Sequence, residues 1–585
     1  MYYLHLLLSS LIIPYAFANP TLDPHLHRQL LLSGRPQIGL WKALLREQVA
    51  REASISERTI DRQLQHPFQI IKPSSSIFEP HCFSQLISHF DDSVNGTFCQ
   101  RYWVDASSYT PGGPVYLLDG GEINAEYRLP FLEKGILDIL SNATGGLSIV
   151  LEHRYYGESV PVSSFSTDDL RFLNNAEALE DSANFIENFR LPSSLLNALP
   201  FELEQTAFHP NNTPWIYYGG SYAGARAAHM RTQYPDLVWG AIASSAVTHA
   251  QIDFPQYYDP IQEYGPRECI STLQRAIIFI DNILDHPRAT GFPQLLKRLF
   301  GLGALEDDDF ADVISSPLGY WQEKNWDPAV GSTEFYNFCD ALTAGGGGSK
   351  IGLIRVPASV LNYAKYIKEN VVSKCPRTPG EPDSDIEDCF GTKDPEKFRE
   401  TDLSQIWRLW LFQGTVPPIF HGLLENSTHV HLLSPVCTQW GYFMPAPPSP
   451  SPRIVSSRLT LAYTSAICPL AFPHGKNFSI PSEPDVEEVN RRGDFAIEAD
   501  RLAFIDGDRD PWRPMTPQRN GVRGKKGGMD VNKPGWIIYD GVHHYDENGL
   551  AQHEAEPARI QAVHEWEKKF VSAWLEEWKI KQGTA

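Results

Sequence analysis

The sequence predicts an α/β protein: one mostly parallel sheet, covered on both faces and interrupted by a helical insertion. Three observations carry that expectation. Short, continuously apolar runs alternate with helical stretches, as strands buried on both faces do. The rhythm stops after about residue 255 for roughly 200 residues and then returns. A serine follows one of these runs on a glycine-rich turn, and an acid and a histidine follow the last two.

The 585 residues are 42% hydrophobic and 21% charged, with 14 Trp, 24 Tyr and 30 Phe, enough to fill a large core. That balance excludes wholesale disorder, collagen-like repeats and a coiled-coil rod. Lys+Arg 50 against Asp+Glu 71 gives a net charge of −21, which argues against nucleic acid and membrane surfaces as partners.

The chain opens with Leu6-Leu7-Leu8 and Leu11-Ile12-Ile13, then Ala16-Phe17-Ala18. A short apolar stretch before A-x-A reads as a secretory leader, residues 1–18, too short to span a bilayer. Residues 19–75, with a helical stretch near Trp41 to Leu45, form an arm or pro-segment. The first part of the core, 76–255, holds strands at Val115 to Leu118, Ser148 to Leu151, Trp215 to Tyr218 and Ala241 to Ala243. The insertion, 256–452, is read as helical at Leu273 to Leu284, Leu296 to Leu302, Val360 to Ile367 and Leu403 to Phe412. It is broken by Gly345 to Gly348 and left through the proline-rich Pro445 to Pro452. The second part of the core, 453–585, resumes with strands at Leu502 to Ile505 and Trp536 to Tyr539. It closes with one long amphipathic helix, His553 to Lys579.

The eight cysteines, Cys82, Cys99, Cys269, Cys339, Cys375, Cys389, Cys437 and Cys468, include no C-x-x-C pair. Five N-x-[ST] sequons, at Asn95, Asn142, Asn211, Asn426 and Asn477, fit the secretory route. Together they favour an oxidising compartment and up to four disulfides. Proximity along the chain suggests Cys82–Cys99, Cys375–Cys389 and Cys437–Cys468, leaving Cys269–Cys339; about 105 connectivities are open in principle.

The densest chemical signal is Trp215 to Gly224, where an apolar strand meets Gly219-Gly220-Ser221-Tyr222-Ala223-Gly224 and a helix follows. Small neighbours let the chain turn sharply enough to project the Ser221 hydroxyl. The fifth position of G-x-S-x-G is Ala223, with Gly224 one later. An acid and a base are then needed, in the order acid, histidine. Asp506-Gly507-Asp508-Arg509-Asp510-Pro511-Trp512 follows one strand, and Asp540-Gly541-Val542-His543-His544 follows the next. Calcium is a poor reading of the aspartates, because Pro511 and Pro517 stand where an EF-hand needs Gly and Glu. The Tyr222 amide and the Gly120-Gly121-Glu122 loop are the expected oxyanion donors, Gly121 being the one taken from the loop.

These segments resemble the prolyl serine peptidase family of secreted and lysosomal enzymes, which includes Pro-X carboxypeptidase, dipeptidyl peptidase II and fungal acid prolyl endopeptidases. The matching pieces run in order. They are Gly96-Thr97-Phe98 with Gln100 to Trp103, Gly113-Pro114-Val115, Leu151 to Ser159, Gly219 to Tyr222, Asp510-Pro511-Trp512 and Gly541 to His544. Phe300 to Ala304 and Phe338 to Ala341 look like the fungal endopeptidase branch. The resemblance implies an α/β-hydrolase core with a helical cap, no cofactor, no metal, and cleavage after proline in peptides by a monomer or homodimer. The nucleophile falls on Ser221, the acid on Asp510 and the base on His543, with His544 the runner-up. Trp512 would line the proline pocket, with Tyr442 and Ala225. Asp506 stands where the family usually has Asn, and Asn548 where several members have Arg, so carboxylate-anchored exopeptidase action is not implied. Dipeptidyl-peptidase or carboxypeptidase action of the same family is the alternative. Serine carboxypeptidases with Glu before the serine fit less well, because that residue is Gly220. A lipase or esterase on the same fold is more remote, and a binding protein with a decayed site would not keep all three residues. The address expected is secreted, with a vacuolar or lysosomal lumen as the alternative.

Overall fold

The computed structural model describes residues 40, 42–43 and 78–583, apart from 288–290, 352, 377–381, 393, 414–436, 451 and 521–529. The expected leader, most of the arm and Asn426 lie outside the described residues.

Among the described residues twelve strands occur: β1 His81–Leu86, β2 Thr97–Asp105, β3 Val115–Asp119, β4 Leu147–Leu151, β5 Trp215–Gly220, β6 Gly240–Ser244, β7 Gln251–Asp253, β8 Ser349–Ile351, β9 Ile354–Val356, β10 Gly441–Phe443, β11 Leu502–Gly507 and β12 Gly535–Ile538. Eight form the central sheet in the order β1-β2-β4-β3-β5-β6-β11-β12. Within it β2 runs antiparallel to both neighbours, and every pair from β4 to β12 is parallel. That order, with one reversed strand near one edge, is an α/β-hydrolase sheet.

Strands β3, β4, β5, β6 and β11 are buried at every residue, which is why they read as unbroken apolar runs. Successive side chains go to opposite faces. Leu117, Ile149 and Tyr217 join one core with Phe185 and Met230, from the helices Asn175–Asn188 and Tyr222–Gln233. Leu118, Val150 and Tyr218 join the other with Leu137 and Phe570, from Ile136–Thr144 and Ala558–Gln582.

The β1–β2 hairpin was not expected from the sequence. Its pattern is disguised by Gln85, which is buried yet polar and donates to Gln100 Oε1 at 2.9 Å and to the Asp181 carbonyl at 3.0 Å. The final helix is also corrected. Pro557 ends a short 3-10 turn, His553–Ala555, and the α-helix begins only at Ala558 and runs to Gln582.

Between β7 and β11 the chain is mainly helical, as expected, with long helices at Arg267–Leu284 and Ala358–Asn370. It is not helical throughout. The glycine run leads straight into the β8–β9 hairpin, and β10 returns to pair in parallel with β7. The expected helix at Leu403 to Phe412 begins only at Trp407.

The disulfides present are Cys82–Cys99, Cys269–Cys339, Cys375–Cys389 and Cys437–Cys468. Leu40, in the expected arm, is buried, and Lys42 pairs with Glu400 at 2.8 Å, so this stretch touches the insertion. Asn95, Asn142, Asn211 and Asn477 are exposed. Among the described residues, no helix is long and apolar enough to cross a membrane.

Candidate active site

Because β3, β5, β6, β11 and β12 are parallel neighbours, their carboxyl ends lie on one edge of the sheet, where ligands bind in such folds. At the end of β5 the chain turns at once into the helix Tyr222–Gln233, and Ser221 at the junction has φ 58° and ψ −118°. Such a backbone costs about 1–3 kcal/mol and persists only where its surroundings impose it. Here the Ser221 amide donates to the Ser244 carbonyl of β6 at 2.9 Å.

Two glycines make the turn possible. A Cβ on Gly219 would lie 2.1 Å from the Ala223 carbonyl oxygen, and one on Gly224 2.6 Å from that of Ser244. Ala223 is accommodated because it faces Gly121, whose own Cβ would still clear it at 3.5 Å.

His543, in the loop after β12, places Nε2 3.0 Å from Ser221 Oγ and Nδ1 2.8 Å from Asp510 Oδ2. Asp510, in the loop after β11, accepts from the Trp512 amide at 2.9 Å through its other oxygen. None of the three is more than 2% exposed. Burial pushes the Asp510 carboxyl up, but His543, the Trp512 amide and the Ser245 hydroxyl together hold it below its ordinary value.

His544 takes a different position. Its ring lies 4.0 Å from that of His543 and tilted to it by 43°, its Nδ1 is 3.4 Å from Glu547 Oε2, and its amide donates to Ser245 Oγ at 3.0 Å. Ser245 therefore links the acid loop to the histidine loop. Sequence reasoning missed it, because Ala243-Ser244-Ser245 at a strand end carries no distinguishing signal.

The two expected oxyanion donors differ. The Tyr222 amide opens a helix, where the first N–H groups have no intrahelical partner. Its phenol is fixed away from the turn, accepting from Gln413 Nε2 at 2.8 Å and lying 3.1 Å from His153 Nε2. The Gly121 amide already donates to Asp119 Oδ1 at 2.9 Å, because the positive φ of 65° folds it back on the strand end. In this structure the Gly121 amide is therefore engaged by Asp119, and its lack of a side chain leaves room for Ala223. Asp119 is itself held by Arg226 at 3.0 Å and the Tyr217 hydroxyl at 2.7 Å.

Beside His543 stands an aromatic wall. The Trp512 ring lies 6.1 Å from that of His543, 5.2 Å from Tyr442, 5.4 Å from Phe254 and 5.6 Å from Tyr257. Trp440 continues it, 5.3 Å from Tyr222. Gln322, from the insertion, accepts from both Trp512 Nε1 and the Tyr257 hydroxyl at 2.9 Å. The Tyr442 hydroxyl donates to the His249 carbonyl at 2.6 Å. Ala225 is buried in the helix behind Ser221 and donates its amide to the Ser221 carbonyl at 2.9 Å. Phe254, Tyr257, Trp440 and Gln322 were not singled out from the sequence, because aromatic residues far apart along the chain look like ordinary core. The arrangement sets a serine hydroxyl, an imidazole and a carboxylate in hydrogen-bond series, next to an apolar aromatic surface. That is what acyl transfer requires.

Comparison with known proteins agrees with this chemistry. The family described as serine carboxypeptidase S28 matches residues 85–316. A protein of Arthroderma benhamiae named "Probable extracellular serine carboxypeptidase" is 36% identical over 564 residues, 91% of this chain and 71% of that one. Serine protease vicPa of Bipolaris victoriae is 27% identical, covering 77% of this chain and 80% of its own. The thymus-specific serine protease of Homo sapiens is 26% identical, covering 74% and 76%.

Proposed function

The chain belongs to the serine carboxypeptidase S28 family and is a serine peptidase, and on that footing we propose that Ser221, His543 and Asp510 cleave peptides on the carboxyl side of proline. What supports the triad is the hydrogen-bond series itself, 2.8 Å from Asp510 to His543 and 3.0 Å from His543 to Ser221. His543 Nε2 takes the Ser221 proton as Oγ attacks the scissile carbonyl, and Asp510 holds the Nδ1–H tautomer and stabilises the imidazolium. The Tyr222 amide meets the developing oxyanion. His543 then gives its proton to the leaving amine, which departs and leaves an acyl-enzyme on Ser221. Water, deprotonated by His543, adds to the acyl carbonyl, and His543 returns that proton to Ser221 Oγ as the acyl–oxygen bond breaks and the acid leaves.

Proline suits the aromatic wall. Its ring is compact and apolar, and it lacks an amide hydrogen that a wall of Trp512 and Tyr442 would leave unsatisfied. We assign the core to 76–255 and 453–585 and the cap to 256–452, with 1–18 as a leader and 19–75 as an arm or pro-segment. The leader, the exposed sequons and the relative's printed description as extracellular support secretion. Mild acid is the expected working range, since exposed carboxylates of a chain at −21 repel less there.

The test is mass spectrometry of the products from one proline-containing peptide of about 20 residues, a length that separates internal cuts from stepwise trimming. Products ending in proline are expected from the wild type and none from Ser221→Ala. A preference for basic or large aromatic residues at the cut overturns the prolyl reading. Absence of fluorophosphonate labelling at Ser221 overturns the triad.

A further inference from the structure

Three loops must keep register for this chemistry: the one after β3, the turn at Ser221, and the one after β12. A single buried ion pair touches all of them. Arg128, which closes the 3-10 turn Ala125–Arg128, donates from Nε to the Gly120 carbonyl at 3.1 Å. Its Nη1 lies 3.7 Å from Glu547 Oε2, and Glu547 Oε2 lies 3.4 Å from His544 Nδ1. The other Glu547 oxygen fills the space beside the nucleophile: a Cβ on Gly220 would sit 2.1 Å from Oε1. The Glu547 carbonyl is fixed as well, accepting from the Ile136 amide at 3.0 Å. Arg128, Glu547 and His544 are each no more than 3% exposed.

Gly220 leaves a hole on one side of a strained serine, and the Glu547 carboxylate, not a side chain of the turn, occupies it. The same carboxylate steadies the His544 ring, which lies 4.0 Å from that of His543. Arg128 completes the series by carrying the connection to the loop that faces Ala223. We propose that Arg128 and Glu547 are positioning residues of the peptidase reaction, setting the distance between Ser221 and His543 by tying the β3, β5 and β12 loops together. This rests on Ser221 being the nucleophile and extends that reading.

The experiment measures kcat per active site, counted by fluorophosphonate labelling, together with KM and Tm, and turnover per mole of protein for Ser221→Ala. Arg128→Lys and Glu547→Gln keep size while altering the contact. Arg128→Met/Glu547→Leu removes both charges, so neither is left buried and unpaired, and it folds where a single deletion does not. A 1 Å misplacement costs about 100-fold in rate, so kcat per labelled site is expected to fall about tenfold or more, with KM nearly unchanged. A merely structural pair would lower Tm and the labelled fraction but leave kcat per labelled site as in the wild type. That result, in Arg128→Lys or in the double variant, overturns the inference while Ser221 labelling leaves the triad standing. Turnover by Ser221→Ala overturns the triad instead.

Discussion

Ser221, Ser245, Tyr442 and His544 all have positive φ without being glycine, at 58°, 44°, 58° and 44°, and all four converge on one site. Each such residue is strained by about 1–3 kcal/mol, so hydrogen bonds must hold it. Ser245 is held by its amide donating to the Ile505 carbonyl at 2.7 Å, and its hydroxyl then serves both Asp510 and the His544 amide. Ser245→Ala leaves the backbone demand unchanged and removes the hydroxyl. A hydrogen bond to a charged group is worth about 1.5–3 kcal/mol, so kcat should drop roughly tenfold or more. The same change should make the protein more acid-labile. A depressed carboxyl contributes stability above its unfolded value, about 3.9, and loses it as pH falls through the lower folded value; without Ser245 that loss comes at higher pH. Unchanged kcat and an unchanged acid melt would show that Ser245 only fills space. Ser221, Asp510 and His543 are readable in sequence because residue type, loop context and chain order coincide. Ser245 and Glu547 are not, because their roles depend on which loops meet.

At the scale of elements, the same separation holds between what local pattern encodes and what assembly decides. The buried parallel strands announce themselves by apolar runs, whereas β1 hides behind the inward-facing Gln85. The turn at Ser221 depends on β5, β6 and one helix approaching to backbone contact. Gly224→Ala must push that helix off the Ser244 carbonyl, and overpacking of this kind costs about 1–3 kcal/mol. Ala223→Gly, which removes one methyl facing Gly121, should cost less than Gly224→Ala in urea unfolding; the reverse order would refute the contact argument. The bond Cys437–Cys468 spans 31 residues and fixes the stretch that leads into Trp440 and Tyr442. Loop entropy assigns it about 3–4 kcal/mol. Cys437→Ser/Cys468→Ser should therefore lower Tm and raise KM for proline peptides more than it affects labelling at Ser221. An unaltered Tm and KM would separate that disulfide from the aromatic wall.

For the whole molecule, the division into sheet and helical insertion is legible in the rhythm of the runs, but the titratable groups buried in the core are not. Asp546 is pushed up to about 6 by burial, with Glu547 adding to it against the Ser244 and Tyr218 hydroxyls. Glu567 is held well above its ordinary value by burial and then by Asp546; Asp506 by burial and then by Asp510. A raised carboxyl gives its full stability below its unfolded value, near pH 4, and loses it as pH climbs through the folded value. Other buried groups work the other way, Asp510 and His153 among them. His229 is lowered to about 3 by burial, with Arg492 and Arg226 adding to it, so it weakens the fold as pH drops below its unfolded value of about 6.5. Above that value His229 is neutral folded or unfolded, and the exposed carboxylates are already ionised. Glu567 and Asp506, held well above the ordinary carboxyl value, then make Tm fall from about pH 6.5 to 7.5, before Lys324 and Lys374, each lowered to about 8 by burial, add the opposite slope. Asp506→Asn replaces a carboxyl whose charged form burial and Asp510 disfavour by its neutral isostere beside Thr516, and should raise Tm at neutral pH and flatten that slope. Thermal melts across this range decide it: a Tm that stays level or rises with pH, or an Asp506→Asn profile parallel to wild type, removes the buried carboxyls as the cause.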